Sequence, residues 1–406
     1  MKLRASLGAL HERPFRLLFL ASAASLLGDR FVPVALAFAT LDLTGSTADL
    51  GYVLAAWWVP QVVLLLFSGV IADRASRRTL MLAADLVRFA AQAVLAVLLL
   101  THAATLWQLV VLQVVRGAAS AFFNPASVGL MPQVVTAANL QQANALRGLV
   151  QWTAGIVGPG AAGGLVVAFG PGWAIAVDSA SFLWSALFLL QIHVPAIERP
   201  PHPPNFLREL VEGWREVRTR SWLLAIVLWA LFANPIVFTS TDVLGPATAK
   251  LHYGGAGAWG ILGTCAGVGA VAGGLAMLNL RFRRPLFVGT CCAFAEVLLV
   301  VALAAHPPLA VTAAAAVVAG ASAATFGVLW ETALQQSVPH AALSRVSAYD
   351  WLGSVALIPV GNVLAGRAGH AFGVSQALWG CAAIGLVLNL AILAVPSVRR
   401  LEAPPR

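Results

Sequence analysis

A chain of 406 residues that is 60% hydrophobic and only 10% charged, with a mean hydropathy of +0.85, lies far from soluble composition, where about a quarter of residues carry charge. The formal net charge of +9 is almost all arginine, Lys2 and Lys250 being the two lysines. These arginines gather at the ends of apolar segments and not in a patch interleaved with aromatics, which reads as membrane topology and excludes nucleic-acid binding.

In chain order, the N-terminus is basic (Lys2, Arg4, Arg13, Arg16) and runs into a first apolar segment, 15–41. No small-residue cleavage site follows a short apolar core, so this segment is expected to stay as a helix. Further segments follow at 50–72, 79–100, 106–131, 143–169 and 173–192, each near the length a bilayer requires. Between the second and third, Gly69, Asp73, Arg74, Arg77 and Arg78 form a short basic turn with four charges in ten residues. After residue 192 the composition changes: five prolines between 195 and 204 rule out a helix there. Phe206, Leu207, Leu210, Val211, Trp214 and Val217 then recur at three- and four-residue steps among charges, the pattern of an amphipathic helix lying on the membrane surface. A passive linker and a regulatory element are both open readings of it. Six more apolar segments occupy 222–248, 259–280, 286–305, 310–336, 347–369 and 374–395. The expected fold is therefore an all-α polytopic membrane protein of twelve transmembrane helices. Its domains are a six-helix bundle at 1–192, a cytoplasmic linker at 193–221 and a second six-helix bundle at 222–406. With the N-terminus inside, twenty of the twenty-five basic residues fall on inner segments, so both termini are expected to be cytoplasmic, in a bacterial-type plasma membrane.

The two halves read as copies. A shift of 203 residues places Gly158 on Gly361, Gly163 on Gly366 and Phe169-Gly170 on Phe372-Gly373, and also Ala121 on Ala324, Phe123 on Phe326, Leu140 on Leu343 and Ala145 on Ala348. One offset held through two successive helix pairs implies two six-helix bundles related by an axis along the membrane normal.

Gly69, Asp73, Arg74, Arg77 and Arg78 match the Gly-x-x-x-Asp-Arg-x-x-Arg-Arg signature of the loop between helices two and three in the major facilitator superfamily, which the whole chain resembles. Phe123-Asn124-Pro125-Ala126, Met131-Pro132, Leu140 and Ala143-Asn144 further resemble the branch holding siderophore exporters and macrolide efflux proteins. The resemblance implies that the loop is part of a cytoplasmic gate, with Asp73 facing the positive N-terminal end of helix eleven and the arginines forming ion pairs that hold the inner side shut. A purely topological role for the arginines is the alternative. The equivalent loop of the second half carries Asn279 where an acid is expected, then Arg281, Arg283 and Arg284, and reads as a weaker gate or an anchor. Helix five holds Gly155, Gly158, Pro159, Gly160, Gly163 and Gly164, similar to the Gly-Pro-x-x-Gly-Gly motif of drug:proton antiporters but with three residues in the gap. Close helix packing accounts for the same residues.

Ionisable residues at bilayer depth are costly and so are functional candidates. They are Asp29 and Arg30 in helix one, Arg116 in helix four, Asp242, Glu296, Glu331 and Asp350 in the second half, and Asp85 with Arg88, three apart and read as a structural pair. A proton-coupled exporter needs a carboxylate that is protonated facing one side and ionised facing the other. Asp29 is the first candidate, because helix one lines the central cavity in this fold, and Glu331 the second. Arg30 is expected to pair with another helix. Arg116 invites the superfamily's helix-four Arg-x-x-x-Gly motif, but the position four before Gly117 is Gln113, so either a coupling role or a structural one is open. Candidate walls of an aromatic substrate cavity include Phe31, Trp57, Gln113, Phe123, Trp152, Trp229, Phe326 and Trp330.

The function these features point to is export of a bulky amphipathic organic molecule, such as a drug, macrolide or siderophore, by proton antiport and alternating access. The expected partners are that small molecule, protons and the lipid bilayer, and the expected state is a monomer. Proton-coupled uptake of a small organic solute and a transport-inactive membrane sensor are the alternatives. No cofactor, metal or enzyme activity is expected: there is no phosphate-cradling Gly-x-x-x-x-Gly-Lys loop, the eight histidines are scattered, and the four cysteines sit in apolar runs without ligand spacing.

Overall fold

The computed structural model describes residues 8–193 and 206–402, which form helices and their connections with no strand among the described residues. Among the described residues, eleven helices are long and apolar enough to cross a membrane. The remaining expected span, Thr47–Arg74, is 28 residues long, about 42 Å at 1.5 Å per residue, and part of its side chains lie outside the described ones.

In order the helices are α1 (Arg13–Asp29), α2 (Val32–Thr44), α3 (Thr47–Arg74), α4 (Arg77–Leu100), α5 (Leu106–Val134), α6 (Leu140–Phe169), α7 (Pro171–Gln191), α8 (Phe206–Thr219), α9 (Ser221–Ala233), α10 (Thr239–His252), α11 (Ala256–Ala276), α12 (Pro285–Cys292), α13 (Phe294–Ala305), α14 (Leu309–Ser337), α15 (His340–Val355), α16 (Ile358–Phe372) and α17 (Val374–Ala394). Serine caps start two of them: Ser46 Oγ accepts from the amide of Asp49 at 3.3 Å and Ser76 Oγ from that of Thr79 at 3.4 Å.

Four expected spans are broken where one continuous helix reads from hydropathy. In the first, α1 stops at Asp29 and α2 starts at Val32. Pro33 has no N–H to return to the Asp29 carbonyl and its ring crowds that group, so the ladder fails there. In the seventh, residues Asn234–Phe238 form a π turn around Pro235. Residue 30 lies 203 before residue 233, so the two breaks sit at the same point of the repeat. The offset recurs elsewhere: Leu106–Val134 and Leu309–Ser337 both run 29 residues from positions 203 apart, and Pro171–Gln191 and Val374–Ala394 both run 21. Each of the latter pair is entered through a glycine with positive φ, Gly170 at 87° and Gly373 at 88°.

The chain divides into two compact units, one of Met1–Ile197 with Gly254–Thr264 and one of Glu198–Tyr253 with Cys265–Arg406. In the first, Phe15, Leu18, Met81, Phe123, Leu130 and Leu189 share a buried cluster. In the second, Val217, Trp222, Leu223, Trp330 and Val346 do the same. Small residues allow backbones to touch: a Cβ on Gly269 or Gly273 of α11 would overlap the backbone of Val317 or Ala321 on α14. Large apolar side chains such as Val97, Trp107, Val167, Phe169 and Phe372 stay more than half exposed, the surface expected of a protein whose solvent there is hydrocarbon.

The amphipathic helix expected after the proline run is α8, and it packs on the second unit. Trp214 lies 5.7 Å from the ring of Tyr349, Val217 is fully buried, and Gly213 sits where a Cβ would meet Tyr349 and Arg345. Its last turns thus face protein where a membrane-surface helix would face lipid.

Candidate functional site

The first unit carries a cluster of charges contributed by four helices. Arg116, on α5, is 4% exposed and donates from Nη2 to Asp29 Oδ1 at 2.5 Å. Its Nε lies 3.8 Å from Asp178 Oδ2 on α7. Gln92 of α4 donates from Nε2 to the same Asp178 oxygen at 2.7 Å, and Gln113 in turn donates to Gln92 Oε1 at 3.4 Å. The helices can come this close because of glycine. Gly117, next to Arg116, faces the Trp57 carbonyl and Pro60 of α3, and a Cβ on Gly28 would lie 2.9 Å from Asp178 Oδ1. The Arg116 guanidinium also stands 5.7 Å from the Trp57 ring.

One layer away, Asp85 and Arg88 form the buried pair expected from their spacing, and Ser185 adds a hydrogen bond to Asp85 at 2.6 Å. Arg88 is sandwiched by Phe123 and Phe182, whose centroids lie 4.0 and 4.3 Å from its guanidinium carbon.

Asp29 sits on the last residue of α1, at the break, with its side chain 34% exposed, whereas Asp178 is fully buried. Chemically, a carboxylate reachable from outside and one sealed inside share a single guanidinium. Arg30, in contrast, is exposed and forms no ion pair among the described residues; its stem packs on Gly158. The expected pairing of Arg30 with another helix is therefore not made, and Arg116 holds the charge that Asp29 needs. Asp178 and Gln92 were not among the sequence candidates. Asp178 carries the signal that marked Asp29, an ionisable residue inside an apolar segment.

The other candidates are spread more widely. Glu331 is exposed on α14, and Asp350 accepts from Trp330 Nε1 at 3.0 Å. Phe31, Gln113, Phe123 and Trp330 are buried, Trp330 edge-on to Trp222 and Phe123 in the hydrophobic core, so these four pack the interior of their own units. Trp229 donates to Asn389 at 3.1 Å and meets Phe326 at 5.4 Å, while Trp152 is 45% exposed.

At the basic turn, Gly69, Asp73 and Arg74 close α3, and their side chains lie outside the described residues. Arg77 donates to the Gly129 carbonyl at 2.5 Å. Arg78 donates from Nε to Leu189 and from Nη2 to Leu190, at 2.8 and 2.7 Å, capping the C-terminal carbonyls of α7. Arg78 thereby ties the turn to the end of the sixth span of its own unit. The second unit closes the corresponding corner differently, with Arg283 3.2 Å and Arg284 3.9 Å from Glu402.

The glycine run of α6 is a seat for the start of α11. A Cβ on Gly163 would lie 2.6 Å from the Ala256 carbonyl and 3.0 Å from Gly260, one on Gly260 would lie 2.6 Å from the Pro159 carbonyl, and Thr264 donates to the Ile156 carbonyl at 2.9 Å. Gly155 and Gly164 face open space.

Three titratable groups outside the spans are tuned by neighbours. Glu12 accepts from Asn139 Nδ2 at 2.7 Å and from the Thr136 hydroxyl and amide at 2.8 and 2.9 Å, and these bonds, the Asn139 one foremost, hold its carboxyl below the ordinary range. Arg220 does the same for Glu216. His306, at a left-handed helix end, stacks on His252 with ring centroids 3.7 Å apart, and burial followed by that neighbour pushes its pKa down.

Comparison with known proteins adds the following. A model of the family described as transmembrane secretion effector matches residues 4–405. The MFS-type transporter YvqJ of Bacillus subtilis is 24% identical across 96% of this chain and 94% of its own length. The multidrug efflux pump Tap of Mycolicibacterium fortuitum is 25% identical across 96% and 97%. Macrolide efflux protein A of Streptococcus pyogenes is 24% identical over 59% of this chain and 60% of its own. Among solved structures, the nucleoside transporter NupG (D323A mutant) superposes with a TM-score of 0.76 at 13% identity, covering 94% of this chain and 99% of that one, which establishes a shared fold.

Proposed function

Because this chain belongs to the transmembrane secretion effector family of the major facilitator superfamily, we propose that it is a secondary transporter that exports a bulky amphipathic organic molecule in exchange for protons. The observation that carries the reading is the Asp29–Arg116 pair at the α1–α2 break: a carboxylate about one-third exposed, held by a buried guanidinium, where the helix is already interrupted. When Asp29 is ionised Arg116 neutralises it; when Asp29 takes a proton that attraction is lost, and the broken helix is where a change of pairing becomes a change of angle. Relatives named for macrolide and multidrug efflux favour export over uptake and a large, partly apolar cargo. Asp73 at the basic turn is proposed as part of an inner gate, Glu331 as a second coupling carboxylate, and the working state as a monomer in the plasma membrane with both termini inside.

The test uses everted membrane vesicles with erythromycin and ethidium as probes. Addition of a transported probe is expected to collapse an imposed proton gradient in wild-type vesicles, to do so at least tenfold less with Asp29→Asn, and to be slowed by Asp73→Asn without loss of membrane insertion. Probe transport that proceeds unchanged in a fully uncoupled membrane refutes proton exchange, and greater cellular accumulation on expression refutes export.

A further inference from the structure

The inner carboxylate of the cluster has no place in that account, and the geometry gives it one. We propose that Asp178 is a second proton-carrying residue, protonated while Arg116 is paired with Asp29 and ionised when Asp29 takes up a proton. This rests on the proton-exchange reading above and deepens it.

The first support is a charge count. Three carboxylates, Asp29 on α1, Asp85 on α4 and Asp178 on α7, face two guanidiniums, Arg88 on α4 and Arg116 on α5. With Arg88 bonded to Asp85 and Arg116 to Asp29, an ionised Asp178 is an unmatched negative charge sealed in the interior, which is strongly unfavourable, and a carboxyl there takes a proton instead. The second support identifies which one. Asp85 has Arg88 and Ser185 in hydrogen-bond contact. Asp29 has Arg116 in hydrogen-bond contact and a side chain that is 34% exposed. Asp178 has neither a hydrogen-bonded guanidinium nor exposure: it is fully buried, and among the described residues Oδ2 is hydrogen-bonded only to the neutral amide of Gln92 and Oδ1 has no hydrogen-bond partner. Arg116 Nε, itself without a hydrogen-bond partner, stands 3.8 Å away, outside bonding range.

The third support is that the two acids are alternatives for one cation. A movement of Arg116 by about 1 Å would bring Nε into hydrogen-bond range of Asp178 and loosen its hold on Asp29. In the first state Asp29 is anionic and Asp178 carries an O–H; in the second the Asp178 O–H is broken and an O–H is formed on Asp29. One proton and one positive guanidinium are present in both, so the total charge is constant and Arg116 moves with no net cost of burying charge. Gly28 contributes by leaving no side chain between α1 and Asp178.

The experiment is infrared difference spectroscopy on the purified full chain in lipid nanodiscs at neutral pH, with 13C-labelled aspartate to separate aspartates from Glu296 and Glu331 and wild-type-minus-variant spectra to separate Asp178 from Asp85, Asp242 and Asp350. Wild-type protein is expected to show a protonated-carboxyl C=O band that Asp178→Asn removes. Asp29→Asn, which leaves Asp178 in place, is expected to convert that band to a carboxylate band, because Arg116 then has Asp178 as its only acid. Asp178→Glu is expected to restore a shifted protonated band. A wild-type-minus-Asp178→Asn spectrum without a protonated-aspartate band, or with a carboxylate band in its place, overturns the proposal. So does Asp29→Asn without effect on the band, which also decides the matter if Asp178→Asn fails to fold. None of these readings needs a transported substrate, so failure of the vesicle assay and failure of this one are separate results.

Discussion

Replacing Arg116 with methionine tests the electrostatics of the cluster most directly. The side chain is 95% buried, so its stem volume is kept while its charge and hydrogen bonds vanish, leaving Asp29 without its partner at 2.5 Å. Removing one member of a buried ion pair costs about 3–5 kcal/mol. Asp29 is one-third exposed and not sealed within the protein, so the low end, about 3 kcal/mol, applies here. For a unit of roughly two hundred residues that corresponds to a fall in melting temperature of about 6–12 °C. Thermal unfolding in detergent, followed by size-exclusion of the surviving monodisperse protein, gives the number. The pattern across double variants is more telling than the single value. Arg116→Met with Asp29→Asn removes both charges and should regain most of the loss, whereas Arg116→Met with Asp178→Asn should regain little, because Asp178 is already neutral. A melting temperature unchanged by Arg116→Met, or rescue by Asp178→Asn and not by Asp29→Asn, refutes the reasoning.

The glycine seat predicts a contrast along one helix. Gly163→Ala pushes a methyl against the backbone of Ala256 and Gly260 and should cost about 1–3 kcal/mol, whereas Gly155→Ala points into open space and should be neutral or gain about 0.5–1 kcal/mol from lost chain entropy; the yield and melting temperature of the two variants check this. At the membrane edge, the Glu12 carboxyl is held below its ordinary range by Asn139 and Thr136, so its stabilisation is present above the unfolded-state pKa and lost as pH falls through the folded one. Glu12→Gln should therefore lower the melting temperature at neutral pH and lose its effect below about pH 4, and an equal shift at both pH values would show that the charge is irrelevant.

Much of this architecture was legible in hydropathy and repetition, because both are properties of single helices. The segments read as 106–131 and 374–395 differ from Leu106–Val134 and Val374–Ala394 by three residues or fewer at either end. What could not be read was anything that requires two helices at once. Arg30 is next to Asp29 in sequence and Arg116 is 86 residues from Arg30, yet only Arg116 reaches the carboxylate, since neighbours on a helix point about 100° apart. The proline break in the first span was present in the sequence at Pro33, but an apolar window averages over it. Phe123 and Trp330 carry the composition of a binding wall and the contacts of a core, and composition cannot separate those.

The repeat itself argues that the charge cluster exists for something other than folding. The second half reproduces the lengths of the fourth and sixth spans, the break in its first span and the glycine entry to its last, at a constant offset of 203. At that offset Asp29 becomes Phe232, Gln113 becomes Ala316, Arg116 becomes Ala319 and Asp178 becomes Cys381. The helices of Arg116 and Asp178 have counterparts of the same length at the same offset that are built without these charges, so the charges are not a requirement of those helices. Replacing a buried ion pair with apolar residues of similar size is often neutral or stabilising, so the pair gives the half that keeps it no general advantage in stability over its counterpart. Its presence is intelligible if the cluster's protonation changes during the work the protein does. Gly117, which becomes Gly320, is retained in both halves because close helix approach is common to them. The residues that differ between the halves are therefore the better guide to mechanism, and those that match are the better guide to fold.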